Sequence, residues 1–253
     1  MTLIAAERIK LVSTRSPWWS AGAAVLASVG MSALIAVTTA KDGQIGTVAS
    51  TQLGYVLGMA VVMLMATLAV TTEYSVGTIR TTFMAVPRRG PALIAKAIVV
   101  GTLAAVIGLV AAFGAWAISL VLLPEFDLSL AGPDDWRHVA GVGLVYLIAA
   151  VIAVSVGTLV RHTAGAVSLV LVWSLMAEQL LQIIPGVGTT VGPWLPFSAA
   201  KEFLAADGSA DGLLGAGPWG SIAYFALVAA GLLTVSIAVA RRRDACGLAP
   251  TAH

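Results

Sequence analysis

The sequence predicts an all-α membrane protein with six transmembrane helices, a short cytoplasmic helix between the second and third, and a short outer helix before the sixth. Hydrophobic residues make up 59% of the 253 residues and charged residues only 10%, whereas soluble domains carry about 25% charged residues. No segment between the apolar runs is long enough to fold alone. Residues 1–253 therefore form a single transmembrane domain.

Six apolar runs carry this prediction. A helix needs about 20 residues to cross the hydrocarbon core, and five runs fit that length. The third is longer, so we expect it to tilt or to project beyond the bilayer. Continuous rather than alternating hydrophobicity favours helices over a barrel. The runs cover about residues 18–39, 48–72, 92–123, 138–160, 163–184 and 219–240.

The start of the chain leaves two interpretations open. Residues 1–17 mix charged and apolar side chains without one clean stripe, which fits an interfacial helix or a plain cytoplasmic lead-in. The first run exceeds the 7–15 residues typical of a signal-peptide core, so it is expected to be retained. Cleavage after Thr38-Thr39-Ala40 is the less favoured alternative. The single cysteine, Cys246, excludes an internal disulfide.

The basic residues predict the orientation. Eleven of the 14 lysines and arginines fall on the side of the two termini, and only Lys41, Arg137 and Lys201 fall on the other. The positive-inside rule therefore places both termini in the cytoplasm of a cell with the chain in its plasma (inner) membrane.

The outer connection before the sixth span contains a predicted helix. Pro185 and Gly186 end the fifth run, since neither continues a helix well. Ser198 is expected to cap a helix that runs to about Ala206, with Gly208 closing it. The apolar residues of this helix predict that it returns to the membrane surface.

Glu178 is the only ionisable residue well inside a predicted span, with Gln179 and Gln182 close by on the same helix. These three side chains form a polar lining of an outward-facing substrate pathway in one interpretation. In the other, Glu178 reaches the outer interface or is protonated in a helix contact. The Gly54-x-x-x-Gly58 spacing in the second run is interpreted as a helix-packing site.

Several classes of site are missing from the sequence. None of the four lysines follows a glycine, so the chain has no G-x-x-x-x-G-K-[ST] nucleotide site. No metal-binding spacing and no pair of carboxylates in a span occur, which predicts neither a bound metal nor enzymatic chemistry. The net charge of +2 gives no reason to expect a nucleic-acid partner.

A polar segment separates the second and third runs and predicts a cytoplasmic docking site. Glycine there permits a turn or a close approach of another backbone, and the arginines supply hydrogen-bond donors. The alternative is a solvated loop whose arginines only enforce topology. The candidate coupling residues are Glu73, Gly77, Thr78, Arg80, Arg88 and Arg89.

This segment resembles the permease subunits of type 2 ATP-binding cassette exporters. The shared pattern is Glu73-x-x-x-Gly77-Thr78, followed by the basic turn at Pro87-Arg88-Arg89 and Lys96 in the next span. The resemblance covers the layout of the whole chain, but its sequence-specific part is confined to about residues 73–96. The chain departs from some family members in lacking a large extracellular domain.

The resemblance implies a coupling helix that docks on a separate P-loop ATPase, which would bind ATP and Mg²⁺ in place of this chain. It also implies a second permease subunit, the same or homologous, within the lipid bilayer. The expected function is therefore the membrane subunit of an ATP-driven efflux transporter. Two alternatives remain: a non-transporting sensor or immunity subunit, and an ion-coupled secondary transporter.

Overall fold

The computed structural model describes residues 5, 7–9, 15–41, 46–76, 89–205 and 217–245. Six of the helices in these ranges are long and apolar enough to cross a membrane, which fits a multi-pass membrane protein. We call the side where the first span begins and the sixth ends the proximal side, and the opposite side distal. The spans are Ser16–Lys41, Tyr55–Val76, Arg89–Leu122, Pro133–Val160, Thr163–Ile183 and Gly217–Ala245.

The span boundaries differ from the sequence prediction mainly where charged residues continue a helix. The fourth span begins at Pro133, five residues before the predicted start. Proline suits the first position of a helix, and Asp134 and Asp135 in the first turn favour its positive end. The third span has 34 residues, which gives a length of about 51 Å. The third span is therefore longer than the hydrocarbon core is thick, as the sequence predicted.

The second, third and fourth spans form the centre of the bundle. The most apolar windows of these spans are 61%, 50% and 72% buried, against 22% in each of the first, fifth and sixth. The rest of the chain therefore leaves most of the surface of the outer three uncovered. Tyr146 on the fourth span is fully buried and contributes to this core together with Met63 and Val100.

The Gly54 and Gly58 pair packs the second span directly against the first. A methyl group on Gly58 would meet the Ser28 hydroxyl and the Tyr146 hydroxyl, and the Ala24 carbonyl oxygen at 2.7 Å. The Ser28 and Tyr146 hydroxyls are hydrogen-bonded at 2.8 Å in the space that this glycine leaves. Small residues at this spacing thus allow close contact between helices, as the sequence predicted.

Two residues turn the chain from the fourth into the fifth span. Arg161 ends the fourth span with a φ of 57°, in the left-handed region. The ring of His162 then accepts a hydrogen bond from the Gly165 N–H at 3.2 Å and caps the fifth span. This short turn places the two spans side by side and antiparallel.

Candidate functional site

A short helix on the distal side, Pro196–Leu204, is held at its beginning by the carboxylate of Glu178. We call it the distal helix. Oε2 of Glu178 accepts from the backbone N–H of Ser198 at 2.8 Å and from its hydroxyl at 3.3 Å. Oε1 accepts from the backbone N–H of Phe197 at 3.2 Å. A negative charge at the free N–H groups of a helix is favourable, so Glu178 acts as the cap of this helix.

A local change in helix geometry aligns Glu178 for this contact. The fifth span passes through one π-helical turn, Trp173–Ala177, directly before Glu178. Such turns are uncommon and shift the side chains that follow them. The indole N–H of Trp173 donates to Oε1 of Glu178 at 3.0 Å, five residues along the same span. The carboxylate is 3% exposed and fully engaged by these donors.

The other end of the distal helix is held by the fourth span. The Arg137 guanidinium donates to the carbonyl oxygen of Phe203, and a ring nitrogen of His138 lies 3.1 Å from the carbonyl oxygen of Leu204. A cation at the last carbonyls of a helix complements the negative end of its dipole. The distal helix therefore has an anion from one span at its start and a cation from another at its end.

The structure corrects two details of the predicted outer helix. Ser198 is not its cap, because Pro196 opens the helix and Ser198 lies in its first turn. The helix also ends at Leu204, before the predicted Ala206. One face of the helix packs against the sixth span, because Phe197 and Phe203 are buried there and Phe203 meets Trp219 at 5.5 Å between ring centroids.

The three predicted pathway residues, Glu178, Gln179 and Gln182, line one narrow cleft on the distal side. Gln182 donates to the Ser198 hydroxyl at 2.6 Å, which connects it to the Glu178 network. Gln179 is exposed. The lining is completed by Tyr55, Val56 and Met59 of the second span, Ser174 of the fifth, and Phe197, Ser198 and Lys201 of the distal helix.

A buried ion cluster lies on the proximal side, next to the predicted docking segment. The ammonium of Lys96 lies 2.8 Å from a carboxylate oxygen of Glu7 and 2.8 Å from one of Glu73. It also approaches the Ala69 carbonyl oxygen at 3.5 Å. Lys96 is 6% exposed and Glu7 is 5% exposed. One cation thus joins the N-terminal segment, the end of the second span and the beginning of the third.

Two further contacts fix the spans around this cluster. The Arg161 guanidinium lies over the ring of Tyr74, with 5.1 Å to the centroid, next to Glu73 in sequence. A methyl group on Gly90 would meet the guanidinium of Arg241, which places the end of the sixth span beside the start of the third. Basic side chains therefore lie at the proximal ends of the second, third, fourth and sixth spans, where these spans approach one another.

The candidate coupling residues fall partly outside the structure. Gly77, Thr78, Arg80 and Arg88 lie outside the described residues, as does most of the predicted coupling helix. Arg89 opens the third span, but its side chain is not among the described ones. Glu73 is described, and it is the member that contacts Lys96.

Sequence reasoning missed the partners of Arg137, His138 and Glu7. The sequence assigns Arg137 only to the outer side and Glu7 only to an N-terminal segment of two possible interpretations. A signal was present for Lys96, which is a lone charge five residues into an apolar run. Such a charge requires a partner, but the identity of a partner 89 positions away is not encoded locally.

Comparison with known proteins adds no relative: no protein-family model matches the chain, and no curated protein matches its sequence.

Proposed function

We propose that this chain is the membrane subunit of an ATP-driven exporter that couples to a separate ATPase through residues 77–88 and their flanks. In this proposal the ATPase subunit binds ATP and Mg²⁺, and the chain itself is not an enzyme. ATP binding would close the ATPase subunits. The coupling segment would carry that motion to the spans.

The observation that favours this function is the Lys96 cluster. A docking segment can transmit a displacement only if its ends are firmly attached to the parts that must move. Glu73 lies in the last turn of the second span, which ends at Val76. Lys96 lies seven residues after Arg89, where the third span begins. Their buried ion pair holds the two flanks together, with Glu7 added from the N-terminal segment.

The pathway proposed here involves the distal cleft and a second permease subunit, the same or homologous. Glu178, Gln179 and Gln182 supply its polar lining, and the apolar character of the spans favours a lipophilic substrate. Replacement of Glu178 by Gln is expected to change substrate range or transport rate. A variant that matches the unmodified protein across a substrate panel would leave Glu178 with its helix-capping role alone.

The proposed location is the plasma (inner) membrane, with the proximal side in the cytoplasm. The distribution of lysine and arginine supports this orientation. A cysteine at Ser129 should react with an impermeant thiol reagent in intact cells, whereas one at Ser75 should not. Labelling at Ser75 from outside would reverse the orientation and remove the docking proposal with it.

The experiment that tests coupling compares charge reversal at two basic positions. The ATPase partner is sought as the product of a neighbouring gene with a P-loop. Arg80→Glu should impair co-purification and substrate-stimulated ATP turnover, because a reversed charge slows association at the edge of an interface and costs about 2–5 kcal/mol at a desolvated pair. Arg242→Glu is the matched control, since Arg242 is exposed at the end of the sixth span.

The outcomes separate the competing functions. Normal assembly and turnover in the Arg80→Glu variant would leave the arginines as topology determinants. Assembly with an ATPase but no transport of any lipophilic compound by the unmodified complex would favour the sensor or immunity subunit. Transport driven by an ion gradient without ATP would favour the secondary transporter.

A further inference from the structure

An apolar cavity of about 300 Å³ lies between the second, fourth, fifth and sixth spans, beneath the beginning of the distal helix. Its floor is buried: Met63 is 1% exposed, Val170 3% and Phe197 8%. Its rim is open, with Leu169 50% and Trp173 41% exposed. The cavity is therefore a pocket inside the bundle that opens sideways between the fifth and sixth spans.

The pocket extends from the middle of the membrane into its proximal half. At about 1.5 Å per residue, Leu169 lies about 9 Å and Trp173 about 15 Å from Thr163, the proximal start of the fifth span. The hydrocarbon core is about 30 Å thick, so Trp173 stands near its middle. Phe197 of the distal helix closes the pocket at that end. Entry is thus from the proximal leaflet.

We propose that this pocket binds one acyl chain of a phospholipid from the proximal leaflet. Every lining residue is apolar or aromatic, and none is charged. Apolar cavities of about half this volume stay dry and take up hydrocarbon ligands. The indole N–H of Trp173 already donates a hydrogen bond to Glu178, so the pocket wall has no free side-chain hydrogen-bond donor for a lipid headgroup. The headgroup therefore stays at the proximal interface.

The bound chain would contact the two residues that connect the pocket to the Glu178 network. Trp173 and Phe197 both line the pocket, and both donate hydrogen bonds to the Glu178 carboxylate. An acyl chain packed against Trp173 and Phe197 would stabilise the beginning of the distal helix from its proximal side. This inference concerns lipid binding and does not depend on the transport proposal.

Photolabelling tests the proposal on the full chain. The protein is placed in nanodiscs of phosphatidylcholine that contain a phosphatidylcholine with a diazirine near the methyl end of one chain. After irradiation, mass spectrometry should find label on Met63 and Phe197, which bulk lipid cannot reach because both are buried. A diazirine near the glycerol end should instead label Leu169 and Leu232. The reverse order would overturn entry from the proximal leaflet.

A filled pocket provides the matched comparison. Val228→Trp places an indole in the opening, whereas Leu227→Trp adds the same group to a side chain that is 70% exposed to lipid. Label on Met63 should fall about tenfold in the first variant, equivalent to about 1.4 kcal/mol of binding free energy. It should stay unchanged in the second. Val156→Phe serves as the pocket variant if Val228→Trp does not fold.

Three results would overturn the proposal. These are an unlabelled Met63 in the unmodified protein, equal labelling of Met63 in the folded pocket variants, and cross-links that join the pocket opening to a second copy of the chain. The last result would show that protein, rather than lipid, covers the opening.

Discussion

Replacement of Glu178 by Gln should loosen the distal helix by an amount that the hydrogen bonds define. Each carboxylate oxygen accepts two of the four hydrogen bonds. The best orientation of Gln keeps its oxygen toward Trp173 and Phe197 and turns its NH₂ group toward Ser198. The Ser198 hydroxyl can rotate to accept a hydrogen bond from this NH₂ group. The Ser198 backbone N–H can only donate, so it faces another donor and loses its acceptor.

The expected cost follows from that one unpaired group. A buried donor left without an acceptor costs about 1–3 kcal/mol. Loss of the negative charge at the helix start shifts the cost toward the upper end of this range. The population in which the distal helix has detached should therefore rise by roughly 5- to 150-fold.

A buried cysteine on the distal helix reports this opening. Ala200 is 1% exposed, so Ala200→Cys should react with a thiol reagent only when the helix detaches. The background carries Cys246→Ser, which removes the single native cysteine. When reclosing is fast, the labelling rate follows the open population. Gln179→Ala is the control, because the Gln179 side chain is exposed on the same span. Equal labelling rates in the Glu178→Gln and control proteins would refute the capping role.

Two further substitutions test the packing of the spans. Lys96→Met leaves the carboxylates of Glu7 and Glu73 without their shared cation, so we expect a loss of about 3–5 kcal/mol in the free energy of unfolding. Lys201→Met, at an exposed site, should stay within about 0.5 kcal/mol. Gly58→Val should reduce the yield of monodisperse protein, whereas Gly30→Val should not, since a methyl group on Gly30 meets nothing within 4 Å. Denaturant titration checks the first pair and size-exclusion chromatography the second. A Lys96→Met protein with an unchanged free energy of unfolding, or a Gly58→Val protein that stays monodisperse in full yield, would contradict these assignments.

The transmembrane layout could be predicted from the sequence because hydrophobicity in a bilayer depends mainly on local composition. The long third span and the packing role of Gly58 belong to this category, since each rests on a pattern within one segment. The exact ends of the helices could be predicted less well from the sequence. The fourth span extends through Asp134 and Asp135, because a capped helix continues past the limit of the hydrocarbon core.

The partners of charged groups could not be predicted in the same way. The sequence marks Glu178 as unusual, but three of its four hydrogen bonds come from a helix 19 and 20 residues later. Arg137 finds its carbonyl partner 66 residues away. Such contacts depend on how the spans pack, and a sequence pattern records only that a charge needs a partner, not which residue supplies it.

The capping of the distal helix imposes an order on biosynthesis. Phe197 and Ser198 follow Glu178 in the chain, and at about 5–20 residues per second Glu178 waits about 1–4 s for them to emerge from the ribosome. Arg137 waits longer, because Phe203 follows it by 66 residues. The order is reversed for Lys96, because both of its carboxylate partners, Glu7 and Glu73, precede it in the chain. The proximal ion cluster can therefore close as soon as the third span is inserted. Until the loop before the sixth span has been synthesised, the distal charges have only their local partners, Trp173 for Glu178 and Asp134 for Arg137, so their contacts with the distal helix form last.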